Sequence, residues 1–379
     1  MKRFVLILIF FLVPILVYSQ KLSEEDERKA YQAVEYMDSG NLDKAVELLK
    51  DILKSNPGHY AVSYELGLAY YRQEDYDSAI KVFESLRKSK YADALLYQAW
   101  GNAYDMRGER DKALKTYDRG LKLFPDSGPL YLEKGNLEYL SGNYNEALLL
   151  YENGIKVAPD FTSNYYRAAN ILYHSDEPIF AILYATVYRF LDPGSERSSE
   201  MGAMISDIYR EHITFETSGD STSSSKAHVS LTKKNNITLS PKDLEDPKAL
   251  LAKLSSFELT YERGILASAA LTRAAARKEL TFEDLIQIRK DALDFYFKDR
   301  EDRGDALRMS ERVAVMEYEK KIMEAGYWEV YNAWLMGTNA FSGADEVFER
   351  EESKFDGFVD WVVNHRFLPS KDGLTLRGD

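Results

Sequence analysis

Alanine recurs at Ala45, Ala79, Ala113, Ala147 and Ala181, a constant step of 34 residues. Other residues keep the same phase. Gly67, Gly101 and Gly135 stand twelve residues before their alanines, and Gly40, Gly108 and Gly142 stand five before theirs. Leu49, Phe83, Tyr117 and Tyr151 follow by four residues, and Pro57, Pro125, Pro159 and Pro193 by twelve. A period of this length means one local unit built repeatedly, each copy burying its apolar face against the next. Five units follow: 26–59, 60–93, 94–127, 128–161 and 162–195.

Each phased residue has a mechanical reason. The small ones (Gly101, Ala113) let two helices of a unit approach, and the large ones (Trp100, Tyr104, Tyr117) fill the space between them. Proline ends the second helix because it cannot donate the next backbone bond. The runs Trp100-Gly101…Tyr104…Gly108…Ala113…Tyr117…Pro125 and Tyr131…Gly135…Gly142…Ala147…Tyr151…Pro159 resemble the tetratricopeptide repeat (TPR). The resemblance covers the five units and implies an all-α fold: an α-solenoid of TPR helix-turn-helix repeats, followed by a second helical region. Unit 2 departs from the pattern with Tyr91 in place of Pro. Unit 5 departs with Ala169 and Asp176 for Gly, and with Pro178 near the start of its second helix.

Outside the repeats the chain changes character. Lys2 and Arg3, the apolar run Phe4–Val17 and the Val17-Tyr18-Ser19 triplet make the three-part pattern of a secretory signal peptide over 1–19. The chain has no cysteine, so there is no lipoprotein anchor, no disulfide, no thiolate nucleophile and no Cys-based zinc site. The expected location is therefore exported, periplasmic or secreted, with no membrane span once the signal is removed. The domain 20–213 holds the repeats plus a capping helix over Ser195–Ile213. Residues 214–240 read as a flexible linker, because 217–225 contains no apolar side chain. Alternation at 229–232 and 236–239 predicts a short hairpin there. A C-terminal helical region is expected over 241–367, with a tail at 368–379. Apolar spacing predicts its helices at 244–254, 257–280, 282–298, 305–325, 327–340 and 344–363, with Thr281 as an N-cap and breaks at Gly326 and Gly343. The ending Gly357–Val363 resembles in outline the tail of exported bacterial repeat proteins.

Chemistry-bearing motifs are missing. No two of the five histidines stand at i,i+3 or i,i+4, so no local metal pair exists, and no nucleotide or hydrolase signature occurs. No metal, cofactor or catalytic residue is expected. A net charge of −13 supplies none of the counterion release that drives nucleic-acid binding.

What remains is a binding surface. TPR solenoids resemble one another in exposing the first helix of each unit along a groove, which implies a protein or extended-peptide partner. Carried over to this chain, the groove positions are Tyr64, Tyr71, Arg72, Gln98, Asn102, Asp105, Asn136, Tyr139, Tyr166, Asn170 and Tyr173. Asn102, Asn136 and Asn170 share one position in consecutive units. Each amide offers two donors and an acceptor to a peptide backbone. Only Arg72 is basic among these residues, so a Lys-rich clamp for a C-terminal carboxylate is not expected. The function expected is a non-catalytic interaction scaffold or adaptor of the cell envelope. One alternative is a glycan- or small-ligand-binding protein, with Trp328, Tyr331 and Trp334 stacking on sugar between the repeat and C-terminal regions. A second is an enzyme with its site in the C-terminal region. N-terminal sequencing of the exported protein should read from Gln20; a start at Met1 would overturn the signal.

Overall fold

The computed structural model describes residues 21–215, 227–230, 257–303, 313–337 and 341–369. Among them the protein is all-α, with seventeen helices and one two-stranded hairpin. The chain divides into two compact units, Met1–Asn143 and Tyr144–Asp379.

The first unit contains α1 (Glu24–Asp38), α2 (Leu42–Ser55), α3 (Tyr60–Arg72), α4 (Tyr76–Leu86), α5 (Ala94–Met106), α6 (Arg110–Leu123) and α7 (Gly128–Leu140). Local chemistry sets the boundaries. Ser23, Asp75, Asp93 and Ser127 accept backbone N–H bonds at the starts of α1, α4, α5 and α7. The buried His59 does the same for α3 through Nδ1. The turns inside the helix pairs need a left-handed residue, supplied by Gly40 (φ 77°) and Gly108 (φ 83°). Glu74 takes that conformation in the second pair (φ 62°), although it carries a side chain.

Within a pair, a ring lies on bare glycine. A Cβ added at Gly101 would enter the Tyr117 ring, and one at Gly67 would enter the Phe83 ring. That close approach puts Ala79, Phe83, Trp100, Ala103, Ala113, Tyr117 and Leu130 into one continuous core. The odd-numbered helices α1, α3, α5 and α7 lie side by side.

The second unit begins with α8 (Tyr144–Val157), α9 (Thr162–Tyr173), α10 (Pro178–Leu191) and α11 (Glu196–His212). Pro178 sits in the first turn of α10, where its missing N–H costs nothing. Residues 178–190 of α10 are all buried, because α9, α11 and a later helix surround it. After α11, β1 (Ile213–Phe215) pairs antiparallel with β2 (Ala227–Val229), Ile213 opposite Val229. The segment expected to be linker therefore contains paired backbone at both ends of 216–226. The partner expected for Val229 at 236–239, like the signal at 1–19 and the helix at 244–254, lies outside the described residues.

The helices that follow are α12 (Phe257–Ala267), α13 (Ala269–Arg277), α14 (Phe282–Arg303), α15 (Ala314–Glu324), α16 (Trp328–Met336) and α17 (Ala344–Asn364). The single helix expected over 257–280 is broken at Ser268. The Ser268 hydroxyl caps α13 and donates to Asp291 on α14 at 2.6 Å, two bonds that continuing the helix would forfeit. Thr281 caps α14: its hydroxyl accepts from Asp284 N, and Asp284 accepts from Thr281 N in return. Gly326 and Gly343 adopt positive φ at the two expected breaks.

The helix expected to cap the repeats, α11, is covered on a second side. The C-terminal end of α16 seats against it at Gly202. Arg189 donates to Ser198 O and to Trp334 O (2.6 Å), and Ser206 donates to Met336 O at 3.1 Å. The bonds to Trp334 O and Met336 O satisfy carbonyls that a helix end leaves without partners, and the guanidinium meets the negative end of the α16 dipole. Burial pulls the Arg189 pKa down to about 10.

Deeper in the unit, Arg289 of α14 is fully enclosed. It donates to Glu319 of α15 at 2.5 Å and to Asn332 of α16. Glu319 also accepts from Tyr331 at 2.7 Å. One ion pair thus ties three helices together, and removing either partner would strand a buried charge.

A methyl group at Gly202 would lie 2.6 Å from the Arg189 guanidinium and 2.9 Å from the Leu335 carbonyl. Gly202→Ala should therefore destabilise the second unit by about 2 kcal/mol despite its better helix propensity. Thermal unfolding by circular dichroism checks this; an unchanged or higher Tm would count against the seating.

Candidate peptide-binding groove

In the first unit, polar side chains of α5, α6 and α7 bond to one another in two groups. Gln98 Nε2 on α5 donates to Glu133 Oε1 on α7 at 2.9 Å. Asn136, one turn further along α7, donates to Glu133 Oε2 at 3.3 Å. Both carboxylate oxygens of Glu133 are thus held by neutral amides. Asn102 Oδ1 accepts from the Tyr117 hydroxyl at 2.6 Å. This bond fixes the flip of the amide.

Tyr71 of α3 packs edge-on against Tyr76, with ring centroids 5.6 Å apart. Burial raises the pKa of its hydroxyl, and Tyr76, Glu133 and Asp105 raise it further. Tyr117 responds in the same way to burial, Glu133, Asp105 and Tyr71. Burial also raises the pKa of the Asp105 carboxyl, and Arg110 only partly opposes it.

The other expected groove residues divide by position. Tyr64 stacks on Tyr60 and donates to Leu95 O at 3.4 Å, so it packs between α3 and α5. Arg72 is held by Asp38 at 3.3 Å. Tyr139 lies 40% exposed near the end of α7. In the second unit, Asn170 donates to the carbonyl of Tyr166 in its own helix at 2.7 Å. Tyr166 itself donates to Glu200 at 2.7 Å beneath the Arg197 guanidinium. Tyr173 packs on His174. The structure thus brings Gln98 and Asn136 together on Glu133, bonds Asn102 to Tyr117, and gives Asn170 a local backbone bond.

Glu133 and Tyr117 hydrogen-bond the expected groove amides and escape a reading by repeat position. Glu133 stands three residues before Asn136 on α7, which was the available signal. The Tyr117 hydroxyl had none, because its ring reads as core.

The C-terminal alternatives meet plain geometry. Trp328 and Tyr331 are buried at 2% and 0% exposure, and Trp328 Nε1 donates to Ile286 O. These two rings pack the core and present no face to a sugar. The titratable cluster Arg289, Glu319, Tyr331, Tyr209 and Tyr261 is enclosed and bonded within itself, out of reach of a substrate. Among the described residues no group of three His, Asp or Glu side chains could hold a metal ion.

Comparison with known proteins agrees with the helical pairs. Family models described as tetratricopeptide repeat match residues 32–94 and 94–137. Residues 32–137 are thus tetratricopeptide repeats by these family models. No curated protein matches the chain in sequence. Similar solved structures include PilF of Pseudomonas aeruginosa, at 15% identity over 50% of this chain and 86% of that one, TM-score 0.42. A thermophilic TPR protein of Thermus thermophilus aligns at 16% identity over 48% and 98%, TM-score 0.39. MamA of Desulfovibrio magneticus aligns at 14% identity over 46% and 99%, TM-score 0.37.

Tyr117→Phe keeps the ring over Gly101 and deletes the bond to Asn102. It should lower stability by about 1 kcal/mol, a Tm change of about 2–4 °C. No change in the melting curve would mean that the hydroxyl does not hold Asn102.

Proposed function

We propose that the protein is an exported, non-catalytic interaction scaffold of the cell envelope. It binds an extended peptide segment of another protein across α3, α5 and α7. The observation that carries this reading is the bonding of Gln98 and Asn136 to one carboxylate and of Asn102 to Tyr117. Amides on two neighbouring helices are thereby held in fixed orientations on one face. An extended peptide offers a carbonyl and an N–H at every residue, and preset amides can pair with both without reading its side chains. Fixing the amides beforehand lowers the ordering cost of binding. Tyr71 and Tyr139 add area with a polar tip. The envelope location rests on the signal pattern of 1–19. Among the described residues no helix is long and apolar enough to cross a membrane.

An array of extended peptides of varied sequence, probed with labelled protein starting at Gln20, tests the reading. The wild-type protein should retain a subset of the peptides. The double variant Asn102→Ala, Asn136→Ala, folded to the same helical content, should lose about tenfold in affinity for them. Retention of no peptide, or equal retention by the double variant, would remove the groove as the site.

A further inference from the structure

The outer side of α17 changes character along its length. Its inner side buries Ala344, Val347, Glu351 and Phe358. A helix packed on one side carries polar residues on the other, and most of α17 does so with Glu349, Glu352 and Asp356. The last two turns do not: Val359 and Val363 are 41% and 71% exposed. At about 3.6 residues per turn, Glu352, Asp356, Val359 and Val363 fall on one stripe. Leu368, just beyond, is 74% exposed. The chain here is anchored. Phe367 is buried against Phe190 and Tyr318, and His365 stacks on Trp361 and donates from Nδ1 to its carbonyl at 2.9 Å. Charge is graded along the same side. The two basic residues of α17 are engaged, Arg350 with Glu283 and Glu351, and Lys354 with Glu351. Among the described residues Glu352, Asp356 and Asp360 have no ion pair, and neither has Arg366, exposed two residues past the end of the helix.

We propose that this end of α17 docks a second copy of the chain, the two α17 helices packing antiparallel about a two-fold axis level with position 361. A two-fold contact must be complementary to itself, and this stripe is. Val359 and Val363 stand equally far to either side of position 361, and so do Asp356 and Arg366. Val359 of one copy then meets the partner's Val363, and Asp356 lies toward the partner's Arg366 at both ends of the contact. The four valines leave water together. Parallel packing would set carboxylate against carboxylate, so charge selects the antiparallel arrangement. The contact uses only the last turns of one helix, which places it among small, reversible interfaces, with a Kd of about 10–100 µM. Two joined copies carry two first units, which raises avidity for a partner that repeats its segment. That consequence rests on the groove reading; the dimer itself does not.

The test is sedimentation equilibrium of the protein from Gln20. The wild type should pass from monomer to dimer as concentration rises across about 1–300 µM. Asp356→Arg alone and Arg366→Asp alone each turn both end contacts into like-charge pairs, and each should weaken the dimer about tenfold, less at high salt. Both side chains are exposed, so circular dichroism should show unchanged helical content. The two substitutions in one chain should restore wild-type association. An equimolar mixture of the two single variants should form a heterodimer, because every end contact in it again joins opposite charges. Val363→Ser should weaken the dimer in the same way. These recoveries separate a broken contact from a broken fold. A monomer at every concentration, a dimer indifferent to the charge reversals, or single variants that recover neither in the double variant nor in the mixture overturns the inference.

Discussion

The first unit depends on how closely two helices approach where one of them has no side chain. The Tyr117 ring occupies the place that any Cβ at Gly101 would take, and Phe83 does the same at Gly67. This contact fixes the spacing of these two helix pairs, and at that spacing Ala79, Ala103 and Ala113 are buried in one core. The same ring reaches further. Its hydroxyl passes through the packed layer to Asn102, so a core side chain sets the orientation of a groove side chain. Core packing and the face carrying Asn102 are thus coupled at this point, and the amide is held without a second set of supports.

In the second unit the corresponding element is a docked helix end. The last carbonyls of α16 lie against α10 and α11, with Arg189 and Ser206 donating to them and Gly202 leaving room. The aromatic layer above follows from that placement. Phe190 of α10 stacks on Tyr331 and Trp334 of α16 and meets Tyr318 and Phe367. The enclosed pair Arg289–Glu319 then ties α14 and α15 to α16. Net stabilisation from such a pair is small against an apolar replacement. It fixes which helices meet, because every other arrangement leaves a charge without a partner.

The repeat pattern was readable because it is local: glycine, alanine, an aromatic residue and proline recur at offsets that one helical hairpin dictates. Gln98, Asn102 and Asn136 were readable by the same rule, since position within a unit determines the face. Side chains whose partners lie far along the chain escaped that rule. Glu133 resembles any acidic residue on a solvated helix until Gln98 is placed beside it. Arg289 and Glu319 sit in helices rich in charge, and nothing in their spacing separates an enclosed pair from surface residues. Ser268 ends a helix that its apolar pattern would continue, because its hydroxyl binds Asp291, 23 residues further on. In each case the deciding contact is tertiary, and periodicity carries no record of it.

The seating of α16 on α11 also bears on how this chain can change in length. Repeat proteins grow and shrink by duplicating or deleting whole units, since each unit needs only its neighbours. A unit added or removed within 24–140 would preserve the ring-on-glycine contacts on both sides of the change. A unit inserted after α11 would need the surface at Gly202 that α16 already occupies, and would leave Arg189 and Ser206 facing a new helix that offers them no free carbonyls. Variation in repeat number among relatives should therefore accumulate toward the N-terminal units, while α10, α11 and α16 are retained or lost as a block.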